Sequence, residues 1–370
     1  MNLTIAKDQI LSGLQAVQNV VSTRTTLPIL SNVLLRAEGD RLEFTATDLD
    51  VTVSCSVEAK VIRPGSSTVP VKRLFGIVRE LSGTELDLEV DDKNNCSIRS
   101  GPSFYKINGM SSDEFPPLPN LRDDKKVIMP QGTTRAMLKK TSFAMSADES
   151  RYVLNGIYIS FKEHKMTMVA TDGRRLALVD EQADVSEKSE GEFIVPSKTV
   201  AELNRLLTEK GNVEIRYGEN QASFSLQDEK NNPTILIVTK LVEGSYPNYR
   251  QVIPAETKER VPLMREEFLH ALRRAEIMTS EKQNSVRMSF GKNKLEITAN
   301  SPDVGEAKET LAVNYKGPEI SIAFNPKYLI DPLNALANDD VFVELIDELS
   351  PAVLKINGPF LYVVMPMRLS

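Results

Sequence analysis

Residues 264–280 read MREEFLHALRRAEIMTS, and they are followed by SVRMSFGKNKLEITANS at 285–301 and EAKETLAV at 306–313. The first run has the apolar spacing of an amphipathic helix, and the next two have the composition of strands. The same order occurs twice earlier in the chain, at residues 7–57 and 133–180. A unit stated three times predicts a repeat architecture.

Two markers repeat in step along the chain. The second strand-like run of each copy ends on a related tripeptide. These tripeptides are Ala46-Thr47-Asp48, Ala170-Thr171-Asp172 and Ala299-Asn300-Ser301, and they lie 124 and 129 positions apart. A proline that opens a further helix-like run recurs at spacings of 126 and 130, as Pro70, Pro196 and Pro326. Because both markers have nearly the same period, we call each copy a repeat and expect each repeat to be one domain.

The domain boundaries are expected where proline accumulates. Segments 113–130 and 245–262 are rich in proline, which disfavours helix and stiffens a connection. We therefore predict domains at 1–120, 127–248 and 249–370.

Each repeat is expected to be an α+β domain. Its two helices show one apolar stripe each, as in Ile10, Leu14, Val17 and Val21, and the stripe of the fifth helix is expected to begin at Met264. The remaining runs are short, rich in β-branched residues and separated by Gly, Asn and Asp turns. The order predicts helix followed by three strands, stated twice per domain, as an internal pseudo-twofold with two helices packed on antiparallel sheets.

Composition bounds the class of protein. Of 370 residues, 41% are hydrophobic and 26% are charged, which is ordinary for a soluble globular chain. The start of the chain does not resemble a secretory signal, and no apolar run approaches the roughly 18 residues of a membrane span. Cys55 and Cys96 lack CxxC spacing and are expected to be buried thiols of a reducing cytoplasm.

Motifs for catalysis are absent from the sequence. There is no phosphate-binding GxxxxGK[ST], no GxGxxG and no GxSxG. The two histidines, His164 and His270, are too few for a histidine-based metal site or a convincing catalytic triad. We predict a non-catalytic protein with no cofactor and no metal, although a hydrolase with an unrecognised site stays open.

The charge is unevenly distributed. The six helix-like segments carry 14 basic and 8 acidic residues, whereas the whole chain has a formal charge of −6, so the remainder carries −12. Charged helix faces are often only solvated. The alternative is a surface that meets DNA phosphates without reading sequence, formed by side chains such as Arg135, Lys139, Lys140 and Lys198.

The chain resembles the bacterial DNA polymerase sliding clamps, the β subunits of the replicative holoenzyme, from end to end. The motifs that carry this resemblance are RTTLPIL (24–30), RYVLNG (151–156), TDGRRL (171–176), KLVEG (240–244) and YVVMPMRL (362–369). The resemblance implies three domains of the DNA-clamp type. It also implies a head-to-tail homodimer closed into a ring, with helices lining the hole and a continuous sheet outside.

The resemblance also implies a function and a location. A clamp of this family encircles duplex DNA without sequence specificity and makes the replicative polymerase processive in the cytoplasm. It would bind the polymerase, the clamp loader, other polymerases and DNA repair proteins through short apolar peptides. The alternative is an interaction scaffold of repeated domains that binds no nucleic acid.

Two sets of site residues follow from the resemblance. Arg24, Arg73 and Tyr152 fall on DNA-contacting positions, while Asp148 and Val153 depart from the family pattern. The peptide pocket corresponds to Leu154, Thr171, Gly173, Arg174, Arg175, Leu176, Pro247, Val252, Asn325, Tyr328, Val363, Met365, Pro366, Met367 and Arg368. Arg174, Gln251 and the additional terminal Ser370 are departures at this pocket.

The dimer seam is expected to pair Tyr105 and Ile107 with Ile277 and Met278 of a second copy. The tail has two interpretations from the residues alone. It is either the last strand of a core sheet or an adaptable apolar surface for a peptide, because methionines suit such surfaces.

Overall fold

The computed structural model describes residues 1–21, 27–118, 125–281 and 284–368. These residues form two compact units. The first unit consists of Met1–Arg135 with Ala201–Leu241, and the second consists of Ala136–Val200 with Val242–Ser370. The second repeat therefore contributes to both units.

The described residues contain helices of two kinds. The α-helices are α1 (Lys7–Val17), α2 (Val71–Glu80), α3 (Gln131–Thr141), α4 (Ser197–Leu206), α5 (Arg265–Glu276) and α6 (Pro326–Ala335). The short 3-10 helices are Pro28–Ser31, Ser112–Glu114, Ser142–Ala144, Glu149–Leu154, Glu187–Ser189 and Tyr249–Val252.

Most of the remaining regular structure is strand. The strands of the first repeat are β1 (Asn2–Ala6), β2 (Asn32–Glu38), β3 (Arg41–Thr47), β4 (Val51–Glu58), β5 (Lys60–Arg63), β6 (Gly65–Pro70), β7 (Glu85–Val90), β8 (Asn95–Ser100) and β9 (Ser103–Asn108). Those of the second are β10 (Lys125–Pro130), β11 (Gly156–Lys162), β12 (Lys165–Thr171), β13 (Arg175–Gln182), β14 (Gly191–Pro196), β15 (Asn212–Tyr217), β16 (Gln221–Gln227) and β17 (Pro233–Lys240). Those of the third are β18 (Glu259–Met264), β19 (Val286–Gly291), β20 (Lys294–Ser301), β21 (Gly305–Ala312), β22 (Ile320–Phe324), β23 (Asp340–Leu345), β24 (Ala352–Lys355) and β25 (Phe360–Val364).

The first unit contains two antiparallel sheets. Their strand orders are β5-β1-β7-β8-β9 and β10-β15-β16-β17-β4-β3-β2-β6. Helix α1 packs on β3 and β4 and against α2. Its buried stripe of Ile10, Leu14 and Val17 is the predicted one, and Gly13 allows the Phe44 ring to approach the helix backbone closely.

The second unit repeats this plan. Its sheets have the orders β14-β11-β12-β13-β25-β24-β23-β18 and β21-β20-β19-β22. Helix α5 packs against α6 and on β20 and β21, with Phe268 and Leu272 fully buried. The predicted α+β class with antiparallel sheets is confirmed.

Both eight-stranded sheets join strands of two neighbouring repeats. In the first unit β17 of the second repeat pairs with β4 of the first, and Thr239 lies opposite Val51. In the second unit β25 of the third repeat pairs with β13 of the second, and Val364 lies opposite Arg175. The last strand of one repeat thus extends the sheet of the repeat before it.

The predicted order of helix and three strands is incomplete, because a strand also precedes each helix. Strand β10 lies inside the segment 113–130, and β18 begins inside the segment 245–262, both of which we interpreted as joints. Their prolines are compatible with strand because β10 and β18 are edge strands, where a missing N–H can face away from the ladder. Met264 is consequently the exposed last residue of β18, so its placement in the α5 stripe was wrong.

The Thr-Asp marker of the first repeat forms a compact turn between β3 and β4. Thr47 Oγ1 donates to the carbonyl oxygen of Val51 at 3.1 Å. Asp48 Oδ1 accepts from the N–H of Val51 at 2.8 Å. The turn places Leu49 at φ 80° with its side chain 46% exposed.

The second repeat forms the same turn between β12 and β13. Thr171 Oγ1 donates to the carbonyl oxygen of Arg175 at 2.6 Å, and Asp172 Oδ1 accepts from the N–H of Arg175 at 3.1 Å. Here Gly173 occupies the left-handed position at φ 85°. Leu49 therefore adopts a conformation that glycine adopts freely and leucine adopts only with strain.

Both cysteines are buried and unpaired, as predicted. Desolvation raises the pKa of each thiol to about 12, so neither is a reactive thiolate near neutral pH. Among the described residues, no helix is long and apolar enough to cross a membrane.

The strain at Leu49 predicts a stabilising substitution. Leu49→Asn should raise the free energy of unfolding of the first unit by about 0.5–1 kcal/mol, because asparagine tolerates the left-handed region better than leucine. Circular dichroism during urea titration measures this as a higher urea midpoint. The matched control is Gly173→Leu, which should lower stability, since a side chain is strained at φ 85°. A lower midpoint for Leu49→Asn would show that contacts of the leucine side chain outweigh the strain.

Candidate functional site

The predicted pocket residues all lie in the second unit, around the turn between β12 and β13. Leu176 and Val363 are direct neighbours across β13 and β25. The chain after β25 then continues along the same turn, because the N–H of Met365 donates to the carbonyl oxygen of Arg174 at 2.9 Å. Further along, the N–H of Met367 donates to the carbonyl oxygen of Ala323 at 2.7 Å. The turn and the tail are therefore held together by backbone hydrogen bonds.

An apolar floor lies beside this turn on one face of the eight-stranded sheet. Its buried members are Tyr158, Val169, Leu176, Ile194 and Val363. Partly buried side chains pack around them, namely Val153, Leu178, Val242, Tyr246, Tyr249, Ile253 and Leu361. Leu154, also in the predicted set, is buried at the end of the 3-10 helix before β11.

The same sheet face of the first unit has only part of this apolar floor. Strand register makes Thr45, Thr52, Ser54 and Thr68 the counterparts of Val169, Leu176, Leu178 and Ile194. Thr45 and Ser54 share a hydrogen bond of 2.9 Å. Leu34 and Val238, the counterparts of Tyr158 and Val363, are apolar in both units. The backbone of the turn is thus common to two repeats, while four aliphatic side chains of the second repeat are hydroxyl side chains in the first.

The rim of the floor is apolar and accessible. Val252, Met365 and Met367 are exposed large apolar side chains. Arg174 and Arg368 are exposed beside them. An exposed apolar surface bordered by cations suits a peptide with apolar and polar parts.

Two tyrosines hold the segment that contains Pro247 against the sheet. The ring of Tyr158 lies 5.2 Å from that of Tyr246 and 5.8 Å from that of Tyr249. Tyr158 also donates to Glu192 Oε2 at 2.9 Å. Burial and this hydrogen bond raise the pKa of Tyr158 to about 12, so the hydroxyl stays a donor at neutral pH.

A polar cavity of about 460 Å³ adjoins this segment, and Tyr158, Tyr246 and Tyr249 themselves line it. It shares Pro247 with the predicted pocket and is also lined by charged side chains, including Lys162 and Glu192. These two already form an ion pair at 2.6 Å. The cavity is therefore largely satisfied by its own charges.

Arg175 was predicted to line the pocket, but its guanidinium is used inside the protein. The residue is only 7% exposed. Nε donates to Asp172 Oδ2 at 3.0 Å, Nη1 to Asp331 Oδ2 at 2.7 Å, and Nη2 to the carbonyl oxygen of Phe143 at 2.6 Å. Burial opposes the charge, but the hydrogen bond to Asp331 and the nearby carboxylates leave the pKa of Arg175 raised overall.

Asn325 and Tyr328 lie at the start of α6. Asn325 Oδ1 caps the helix by accepting from the N–H of Lys327 at 3.0 Å. The ring centroid of Tyr328 is 4.6 Å from the Arg175 guanidinium. The carbonyl oxygen of Tyr328 accepts from the hydroxyl of Tyr362 at 2.6 Å. Burial raises the pKa of Tyr362 well above its usual range, so this donor is permanent.

The predicted DNA-contacting residues are mostly exposed. In the first unit Arg73 projects from α2, and Arg135 of α3 forms an ion pair with Glu209. In the second unit the exposed residues are Lys139, Lys198 and Tyr152, the last with 59% of its surface accessible, whereas Lys140 is half-buried. Arg24 lies outside the described residues.

The predicted seam residues lie next to two open sheet edges. Tyr105 is 41% exposed on the edge strand β9, whereas Ile107 on the same strand is buried. Phe104, which the sequence did not single out, is exposed beside them. Ile277 follows α5 and is 72% exposed, and Met278 is half-buried near Gly305 at the start of edge strand β21.

Several residues of the site were not found from the sequence. Asp331 and Phe143 contact Arg175, and Tyr362 contacts Tyr328, although the partners of each contact are distant along the chain. No spacing in the sequence signals such a meeting. Within the described residues, no cluster of three His, Cys, Asp or Glu side chains could hold a metal ion.

Family models match nearly the whole chain. They are described as the N-terminal, central and C-terminal domains of the DNA polymerase III beta subunit and match residues 1–119, 128–248 and 250–368 respectively. Among relatives, the Beta sliding clamp of Chlamydia muridarum is 35% identical over 369 residues, which cover 100% of this chain and 99% of that protein. The Beta sliding clamp of Chlamydia pneumoniae is 33% identical with the same coverage.

A solved structure has a similar level of sequence identity to the chain. The DnaN sliding clamp (DNA polymerase III subunit beta) from Bartonella birtlesii, bound to griselimycin, has a TM-score of 0.94 and 34% identity and covers 100% of both chains. The likeness therefore extends over the complete fold.

Proposed function

The chain belongs to the DNA polymerase III beta subunit family, and from this we propose that two copies close head to tail into a ring around duplex DNA. The ring confers processivity on the replicative polymerase and recruits partners through a peptide pocket. It is not an enzyme, and it acts on DNA in the cytoplasm. The alternative of a scaffold without nucleic acid is not favoured by the family.

The proposed ring is supported by two open sheet edges, on β9 and β21. Strands β17 and β25 end their repeats and pair with β4 and β13 of the preceding repeats. By position in the repeat, β9 is the counterpart of β17 and β25, and β21 is the counterpart of β4 and β13. Both β9 and β21 are edges with unpaired backbone groups. Pairing β9 of one copy with β21 of another applies the same contact a third time and closes a ring.

The internal pairings also set a register for this seam. Thr239 faces Val51, and Val364 faces Arg175. The positions equivalent to these pairs are Ile107 of one copy and Gly305 of the other. Continuing antiparallel from there, Lys106 faces Glu306, an opposite-charge pair, and Tyr105 faces Ala307.

DNA binding is assigned to the basic helix faces. Exposed cations on α2, α3 and α4, with Tyr152, meet phosphates and give salt-dependent, sequence-independent affinity. Arg73, Arg135, Lys139, Lys140 and Lys198 are the proposed contacts, with Arg24 proposed from the family pattern. The ion pair of Arg135 with Glu209 is exposed, so it opposes a phosphate contact only weakly.

The peptide pocket is assigned to the apolar floor and its rim. The apolar end of a partner peptide would lie among Leu176, Val363 and Met365. Its glutamine anchor would lie toward Arg174, Asn325 and Tyr328. The floor supplies affinity by burial, and the backbone groups of the rim orient the peptide.

Reversing the charge of two α3 lysines tests the DNA surface. Lys139→Glu with Lys140→Glu should reduce the slope of log affinity against log salt by up to about 2, since each phosphate contact contributes about 0.9. Equilibrium binding to linear duplex DNA over a series of salt concentrations measures this slope. Lys165→Glu with Lys292→Glu makes the same change of charge on strands and a hairpin away from the helices. Equal slopes for both variants would contradict the assignment.

A charge swap tests the seam and its register. Lys106→Glu or Glu306→Lys alone should weaken the dimer about 4- to 700-fold, because in each of the two seams a cross-strand pair of about 0.2–1 kcal/mol becomes a repulsion of similar size. The two substitutions together should restore dimerisation. Mass photometry on dilution gives the dissociation constants. Failure of the double variant to recover would place the seam in another register.

Replacing Leu176 with the threonine found at the equivalent position of the first repeat tests the pocket. Leu176→Thr should weaken binding of a peptide with a glutamine anchor and a Leu-Phe end by about tenfold. Leu176 is already buried, so the loss is limited to the one or two carbon groups that the peptide would contact, at about 0.8 kcal/mol each. Threonine is compatible with this strand position, since Thr52 occupies it in the first repeat. Calorimetry measures the affinity, and Leu236→Thr in the first unit is the control. Equal affinity for Leu176→Thr and the unsubstituted protein would remove the pocket assignment.

A further inference from the structure

The contacts of Arg175 connect three separate segments of the second unit. Its guanidinium is held by Asp172 of the β12–β13 turn, by Asp331 of α6 and by the carbonyl oxygen of Phe143. Three of its nitrogen atoms thus point in three fixed directions. A planar guanidinium is suited to such a junction because its donors form a rigid fork.

Asp331 is the α6 member of this junction. Its Oδ2 accepts from Arg175 Nη1 at 2.7 Å, and its Oδ1 lies 3.5 Å from Lys327 Nζ. Asp172 already supplies one carboxylate to Arg175 at 3.0 Å. A second carboxylate is therefore not needed to neutralise the buried charge, but it fixes the orientation of the guanidinium plane.

The orientation of Arg175 determines the positions of Tyr328 and of the β12–β13 turn, which form two sides of the proposed pocket. Its guanidinium stacks on Tyr328, and its backbone belongs to the turn that carries Arg174 and Leu176. Tyr328 is also tied to β25 through the hydroxyl of Tyr362 at 2.6 Å. Displacing Arg175 would move Tyr328 relative to the turn.

We propose that Asp331 is a positioning residue of the peptide pocket, which sets the distance between Tyr328 and the Thr171–Leu176 turn by holding Arg175. This inference rests on the proposed function of the pocket. Asp331 makes no contact with the peptide in this account. Its effect passes through Arg175, whose side chain is covered rather than presented to a ligand.

The test substitutes Asp331→Asn, which keeps size and one acceptor but removes the charge. Peptide affinity, measured by calorimetry well below the unfolding temperature, should fall about tenfold, as for one weakened charge-assisted hydrogen bond. Glu344→Gln is the matched control. Glu344 is a buried carboxylate of the same unit that accepts from Lys355 Nζ at 2.8 Å, remote from the turn along the sheet order. The control should lose thermal stability but keep its peptide affinity.

A second readout separates positioning from general destabilisation. Replacing the glutamine anchor of the peptide with alanine should cost less affinity in Asp331→Asn than in the unsubstituted protein, because the two changes affect the same contact. Equal costs, or an unchanged affinity of Asp331→Asn, would overturn the inference while leaving the pocket intact. Absence of binding by the unsubstituted protein would overturn the pocket and the inference together. If Asp331→Asn does not fold, Arg175→Lys serves instead, since an ammonium cannot keep all three directions, and an unchanged affinity would again overturn the inference.

Discussion

Backbone hydrogen bonding between consecutive repeats organises both units of this protein. In each eight-stranded sheet, the last strand of one repeat is added to the fourth strand of the preceding repeat, β17 to β4 and β25 to β13. This pairing satisfies edges that would otherwise attract other chains. It also brings the β3–β4 turn next to the chain that leaves β17, and the β12–β13 turn next to the chain that leaves β25.

The same constraint explains why the repeats end in two open edges. A chain of three repeats has two internal joints, so β9 of the first repeat and β21 of the third are left without the partners that their counterparts have. The side chains near these edges, Phe104, Tyr105 and Ile277, are exposed apolar groups. In the proposed dimer a second copy supplies the missing strands, and the closed ring then has no free edge at either seam.

The candidate pocket shows how one backbone can carry two chemistries. The hydrogen bonds of Thr47 and Asp48 recur at Thr171 and Asp172. At four positions of this sheet face the first repeat has hydroxyl side chains where the second has aliphatic ones. The second repeat also has Gly173 at the left-handed position and Arg175 where the first has Val51. In the proposed pocket, affinity for an apolar peptide therefore depends on a few side chains placed beside a shared turn.

Ionic contacts in this protein differ in what they contribute. Exposed pairs such as Arg135 with Glu209 contribute little to stability, because water and salt screen them. The buried contacts of Arg175 are different, because removing one partner leaves a buried donor without an acceptor. A junction of that kind specifies one arrangement of turn, helix and strand.

The sequence by itself determined the repeat, the α+β class and the apolar stripes of six α-helices, because periodic apolar spacing and turn residues are local signals. Its motifs indicated the family through their resemblance to known clamps. It also indicated the markers at Thr171 and Pro326 that lie in or beside the candidate site. Only the tertiary structure decided that a strand precedes each helix, since the prolines of β10 and β18 are tolerated only at a sheet edge. It alone brought Asp331, Phe143 and Tyr362 to Arg175 and Tyr328, because contacts between residues more than thirty positions apart depend on strand register and packing, which no local pattern encodes.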